Sequence, residues 1–208
     1  MILSTHYVEI QHAVAELVEP IHDALAAARL AVDEKYKGLV RDEDQQWLRT
    51  ALIRGLVYRE LERVELAGWV LGGEHSRNGE VHLCSRDGTM TIRVLREAPD
   101  QTIPAAGHNR RRRAYYVNAL PYGLDLWGSA HHSLLLLWGE PDPADDFTVR
   151  LVRPLEPGKY RKPARADLDI DLPRSKTDFM ALKFEVYDEE YEQPGFLIAD
   201  EELDGDAT

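Results

Sequence analysis

Three groups of residues have the types and spacing to do chemistry. In GHNRRRRAYYVNALPYG, residues 107–123, Arg110, Arg111, Arg112 and Arg113 place four permanently charged guanidiniums side by side. Each can bridge two phosphate oxygens with parallel hydrogen bonds, and Tyr115 and Tyr116, with Tyr122 nearby, offer rings on which bases could stack. In ADLDIDL, residues 166–172, strand alternation puts Asp167, Asp169 and Asp171 on one face and Leu168, Ile170 and Leu172 on the other. Two carboxylates such as Asp169 and Asp171 on one strand face could hold a divalent cation. In AHHSLLL, residues 130–136, His131 and Ser133 form a His-x-Ser step, and imidazoles suit proton transfer near neutral pH.

Two of these groups resemble parts of known families. GKYRKPARADLDIDL resembles the glycine-serine turn and aspartate-x-aspartate strand of the nucleotidyltransferase superfamily over about fifteen residues. Lys159 stands where that family has serine. The resemblance implies metal-dependent transfer at Asp169 and Asp171, with Glu185 as a third carboxylate. The His131-x-Ser133 step is similar to the paired His-x-Thr/Ser strands of two-histidine phosphoesterases, in which one histidine acts as base and the other as acid. The nearest counterpart is His82-Leu83-Cys84, where a thiol replaces the hydroxyl.

Other groupings are less specific. His12 and Glu16 are a helical turn apart, with His6 and His22 nearby, but they follow no recognised ligand pattern. Gly72, Gly73 and Gly79 lack the Gly-Lys-Ser/Thr ending of a phosphate-binding loop. Cys84 is the single cysteine, which excludes an intramolecular disulfide and a cysteine-based zinc cluster and agrees with a reducing compartment.

The formal net charge of -12 is unevenly distributed. Residues 185–208 carry ten acids, among them Asp188, Glu189, Glu190, Asp200, Glu201 and Glu202, and neither lysine nor arginine. Residues 101–165 carry ten bases against six acids. A tethered polyanion of that kind would compete with phosphate for a basic surface, or would itself bind a basic partner. The longest strongly apolar run, LLLLW at 134–138, is far too short to span a membrane, and the first residues lack a basic signal-peptide start. The expected setting is the cytoplasm.

The elements that must position these residues can also be read. VAELVEPIHDALAAARLAV repeats apolar residues at spacings of three and four, a helix in which Pro20 predicts a kink or a junction near Glu19. A second helix, capped by Asp42, carries Leu48, Leu52 and Leu56 on one face and stops by Gly68. EVHLCSRDGTMTIRVLRE predicts two strands around a turn at Asp87 and Gly88. Further strands are predicted at AYYVNAL, HSLLLLW, FTVRLVRPL, ADLDIDL and MALKFEV. Trp47, Trp69, Trp127 and Trp138 are expected to fill or edge the core.

The expected fold is α+β: N-terminal helices on a mainly antiparallel sheet, in one domain over 1–193 (helical 5–68, mainly strands 69–193) with an acidic tail at 194–208. The expected function is a cytoplasmic, non-enzymatic binding protein whose arginine and tyrosine surface contacts nucleic acid or an acidic partner, with the tail modulating access. Two alternatives stand beside it. One is an inhibitor or antitoxin-like protein acting on a basic partner through the acidic C-terminus. The other is a divergent phosphodiester or nucleotidyl-transfer enzyme with a divalent metal at Asp169 and Asp171. No other cofactor and no membrane association are expected.

Overall fold

A computed structural model describes residues 3–36, 38, 43–76, 79–98, 102–118, 131–140, 147–158 and 164–183. Asp42, Tyr122, Trp127, Lys159 and Glu185, together with the whole acidic tail, lie outside the described residues. The chain is α+β, with helices first and strands after. Helix α1 spans Leu3–Val14, α2 Val18–Lys35 and α3 Gln46–Glu62; the strands are β1 Trp69–Gly72, β2 His82–Ser85, β3 Met90–Arg96, β4 His132–Gly139, β5 Thr148–Pro154 and β6 Ala166–Asp171. Two short helices complete it, α4 Arg110–Tyr115 and α5 Lys176–Ala181. Among the described residues no helix is long and apolar enough to cross a membrane.

The expected junction in the first helical segment is a 3-10 turn at Ala15–Leu17, which places Pro20 in the first turn of α2. A missing N–H costs nothing there, because first-turn amides have no intrahelical acceptor. Ile10, Val14, Leu17, Val18, Ile21, Leu25, Ala28 and Val32 form the buried stripe, which meets Ile53, Val57 and Leu61 of α3.

The six strands lie in the order β1-β2-β3-β4-β5-β6. Four neighbouring pairs are antiparallel, including the hairpin around Asp87 and Gly88, where Gly88 has φ 74° and the Asp87 carboxylate accepts from the Thr89 amide. The β3–β4 pair is parallel, with Met90 opposite His132 and Arg96 opposite Trp138. A parallel pair needs a crossover. Residues 97–131 supply it, and α4 lies within that segment.

That crossover changes the reading of two segments. AYYVNAL does not begin as a strand: Ala114 and Tyr115 end α4, because the Asn109 side chain caps the Arg111 and Arg112 amides and arginine favours helix. Similarly, Met180 and Ala181 of MALKFEV close α5, which Ser175 caps by accepting from the Thr177 and Asp178 amides.

Both faces of the central sheet are therefore covered. On one face Leu83, Ile92, Val94, Leu134, Leu136, Trp138, Val149 and Leu151 pack under the long helices. On the other, Leu95, Leu135, Leu137 and Val152 pack against Ile103, Ala106 and Tyr116 of the crossover. This explains why β4 is a continuous apolar run rather than an alternating one: Leu134 to Leu137 are all fully buried, at roughly 1.5–3 kcal/mol per side chain. Trp69 is buried with its indole N–H donating to Ala13, whereas Trp47 is 67% exposed.

Candidate functional site

At the end of the sheet where β2 begins, β3 and α4 each bring an arginine into the field of Arg54 of α3. Antiparallel pairing sets His82 of β2 opposite Arg93 of β3. Helix α4 lies over this pair, its Tyr115 ring stacked on the His82 imidazole at 6.3 Å between centroids and 18° between planes. The Tyr115 hydroxyl lies 2.7 Å from the carbonyls of both Thr91 and Leu134, to one of which it donates, so α4 is pinned to the β3–β4 backbone. Arg112, one turn before Tyr116 on α4, is hydrogen-bonded to the Tyr116 hydroxyl and lies within the field of Arg54.

Helix α3 completes the arrangement. Thr50, Arg54 and Tyr58 follow one another at i, i+4 and i+8 on one face. Thr50 accepts from Arg96 of β3 at 2.8 Å, and Tyr58 stacks on His75 of the β1–β2 connection with centroids 4.0 Å apart. Arg54 lies between those two anchors along the helix, within the field of Arg93 and Arg112.

The electrostatics follow from this crowding. Burial lowers the pKa of Arg54, and the charges of Arg93 and Arg112 lower it further. Burial also pushes the His82 imidazole below its ordinary value; Arg93 adds to the depression and Glu80 opposes it. The bonded counter-ion among the described residues is Glu80, whose carboxylate accepts from Arg93 at 3.0 Å. Arg54 Nε, Arg112 Nε and His82 Nε2 are buried and lack a hydrogen-bond partner among the described residues. Like charges so placed, with donors unsatisfied, favour an anion.

No family model, curated protein or solved structure matches the chain. The site must be read from its own chemistry.

Within the arginine run, Arg110, Arg111 and Arg113 are exposed on α4 while Arg112 is half-buried. The tyrosines do not serve as open stacking faces. Tyr116 is fully buried and its hydroxyl donates to Pro104, and Tyr115 is committed to His82 below it and to the strand carbonyls. The resulting loss of solvation raises the pKa of both phenols. They shape the site by fixing α4.

The aspartate strand is held by arginines. Register shifts between Arg153 and Pro154, so Asp167 is passed over in the β5–β6 pairing and forms an ion pair with buried Arg153. Arg153 Nε also donates to His132 Nδ1 at 3.2 Å. Asp169 pairs with Arg150 at 3.3 Å, and Arg150 also binds Glu97 at 2.6 Å. Burial raises the pKa of Asp167 and Asp169, against the pull of their arginines. Asp169 and Asp171 share a strand face, yet no group of three metal-ligating side chains converges among the described residues. Because Arg150 already occupies Asp169, a second cation there would have to displace it.

The two histidine steps also stay apart. His131 is exposed beside Thr89, its Nδ1–H donating to Gly88, whereas His82 lies opposite Arg93, about 13 Å further along β3 at 3.3 Å per residue. They do not face each other across a groove. His12 is exposed, Glu16 is bound to Lys176, and buried His22 donates from Nε2 to Leu172 at 3.0 Å, so these three do not converge on an ion.

Sequence reasoning missed Arg54, Arg93 and Glu80. Arg93 is marked by MTIRVLR, whose alternation puts it opposite the apolar face, and Arg54 adjoins the apolar stripe of Ile53 and Val57. Neither signal states what the residue meets.

Proposed function

We propose that the protein binds nucleic acid through the arginine-bearing face built by α3, β3 and α4. The observation that carries this reading is that Arg54 of α3 lies within the field of Arg93 of β3 and Arg112 of α4, with Arg54 Nε and Arg112 Nε buried and without a hydrogen-bond partner among the described residues. Arg110, Arg111 and Arg113 stand exposed on the same short helix and extend the positive surface outward. Guanidiniums suit phosphate through their paired N–H groups, and this cluster forms inside a chain of net charge -12, so the positive field is local. The protein acts by binding rather than catalysis: the aspartates are tied to Arg150 and Arg153, and His131 and His82 are too far apart to share a phosphodiester. A cytoplasmic setting agrees with the single cysteine.

The acidic residues of 185–208 enter this reading as a tethered competitor for the same face. Fluorescence anisotropy with labelled single- and double-stranded DNA and RNA, across a salt series, tests both parts. Affinity should fall steeply with salt. For a single strand, replacing Arg110, Arg111 and Arg113 by alanine should reduce the log–log slope by about 0.7 for each phosphate left without its arginine. A version ending at Phe184 should bind more tightly than the full chain. Affinity that ignores salt and the arginines would exclude the reading.

A further inference from the structure

We infer that the open edge of β1 receives, as an added strand, an extended segment of a partner protein that alternates apolar side chains and carries a lysine or arginine. The two edges of the sheet differ. At β6 a register shift interrupts the ladder at Arg153 and Pro154, the Tyr7 hydroxyl donates to the Asp167 carbonyl, and Asp169 and Asp171 stand on the strand; each discourages further pairing. At β1 the residues Trp69, Val70, Leu71 and Gly72 carry no charge, and they pair with β2 without a shift.

The outward backbone groups of β1 follow from its pairing. The Arg86 amide donates to the Gly68 carbonyl at 2.9 Å, so Gly68, and by alternation Val70 and Gly72, turn their polar groups towards β2. Those of Trp69 and Leu71 point away from the sheet. The Trp69 amide donates to Leu66 at 3.0 Å, which leaves the Trp69 carbonyl and both groups of Leu71 open to a further strand. A residue set antiparallel to Leu71 can exchange two hydrogen bonds with it.

A groove of about 310 Å³ lies between this edge and the end of α3. Leu61, Leu66 and Trp69 line its buried part, and Val64 and Val70, each 47% exposed, stand at its rim. Alternate side chains of an added strand fall on one face, so an apolar residue at every second position suits this lining. Glu62 and Glu65 also line the groove. Both are exposed and neither is in an ion pair among the described residues, whereas Glu60 of α3 is held by Arg63. Arg86 is the one base in the lining among the described residues. Two open carboxylates against one guanidinium, in a chain of net charge -12, select a basic segment and oppose both a second copy of this chain and its own acidic residues 185–208.

The experiment pans a displayed library of random linear peptides over the full chain, then measures the recovered peptides, made synthetically, by fluorescence anisotropy. Recovered sequences should alternate apolar residues and carry lysine or arginine, and hydrogen exchange at the Leu71 amide should slow when they bind. Leu71→Pro removes the outward N–H, leaves the β2 ladder intact and should weaken binding at least about tenfold. The charge reversal E62K with E65K should weaken the basic peptides and shift selection towards acidic ones. Should L71P fail to fold, exchange at Leu71 in the unaltered chain decides. No enriched sequence, selection of acidic peptides by the unaltered chain, or affinity that ignores both changes would overturn the inference. So would a dimer in sedimentation equilibrium that L71P dissociates, because a second copy would then hold the edge.

Discussion

The Tyr115 ring is stacked on the His82 imidazole while its hydroxyl reaches the carbonyls of Thr91 and Leu134. One side chain thus ties the crossover to three strands. It also sets the height of α4 above the sheet, and with it the position of Arg112. The aromatic residue that follows an arginine run is here an anchor for the arginines.

Replacing Tyr115 by phenylalanine should cost about 1 kcal/mol of stability, the usual net value of one hydrogen bond, and leave the ring on His82. Tyr115→Ala should cost about 3 kcal/mol and release α4. Urea denaturation measures both. Nucleic-acid affinity should survive Y115F and fall with Y115A; a large loss with Y115F would instead assign the hydroxyl to the ligand.

Glu80 is paired with Arg93, so Glu80→Gln should strengthen oligonucleotide binding several-fold. The stability change should stay below about 1 kcal/mol because the pair is partly open to solvent, with the Glu80 side chain 31% exposed. Anisotropy on E80Q beside the unaltered chain gives the answer. Weakened binding would make Glu80 a support of the site rather than a competitor.

Stability should fall as pH drops from about 7 to about 5. Burial and Arg93 depress the His82 pKa, so below the ordinary value of about 6.5 the unfolded chain takes up a proton that the folded chain refuses. That difference favours unfolding at the acid end of the window and vanishes above it. His82→Gln should flatten this part of the pH profile in thermal melts. A slope unchanged by H82Q would place its origin in other groups.

The Arg153–Asp167 pair, with His132 behind it, should be worth most when broken on one side. Arg153→Ala leaves a buried carboxylate and should cost about 3–5 kcal/mol. Replacing both partners with apolar residues, R153M with D167L, should recover much of that loss. Urea denaturation of the three variants tests it, and a double variant as unstable as R153A would show that the arginine supports the fold through more than this pair.

Much of the fold is legible in the sequence because it is written in local pattern. The apolar stripe from Val14 to Ala28 gives the first helices, alternation gives β2, β3, β5 and β6, and Asp87-Gly88 gives the hairpin between β2 and β3, since helix and strand each impose a short period on the residues they bury. The sequence alone also determines the charge asymmetry, with bases in the middle and acids at the end.

What it leaves open depends on pairing at long range. Tyr-Tyr-Val favours a strand by propensity, yet Asn109 caps a helix there and the parallel β3–β4 pair requires the crossover that carries it. Likewise, alternation puts Asp167, Asp169 and Asp171 on one strand face, but only the register against β5 brings Arg150 and Arg153 to neutralise two of them. Arg54, Arg93 and Arg112 are separated by 39 and 19 residues in the chain, and no local period relates them. Their meeting is decided by where α3 and α4 land on the sheet, because charges act through distance in space and the sequence orders them only along the chain.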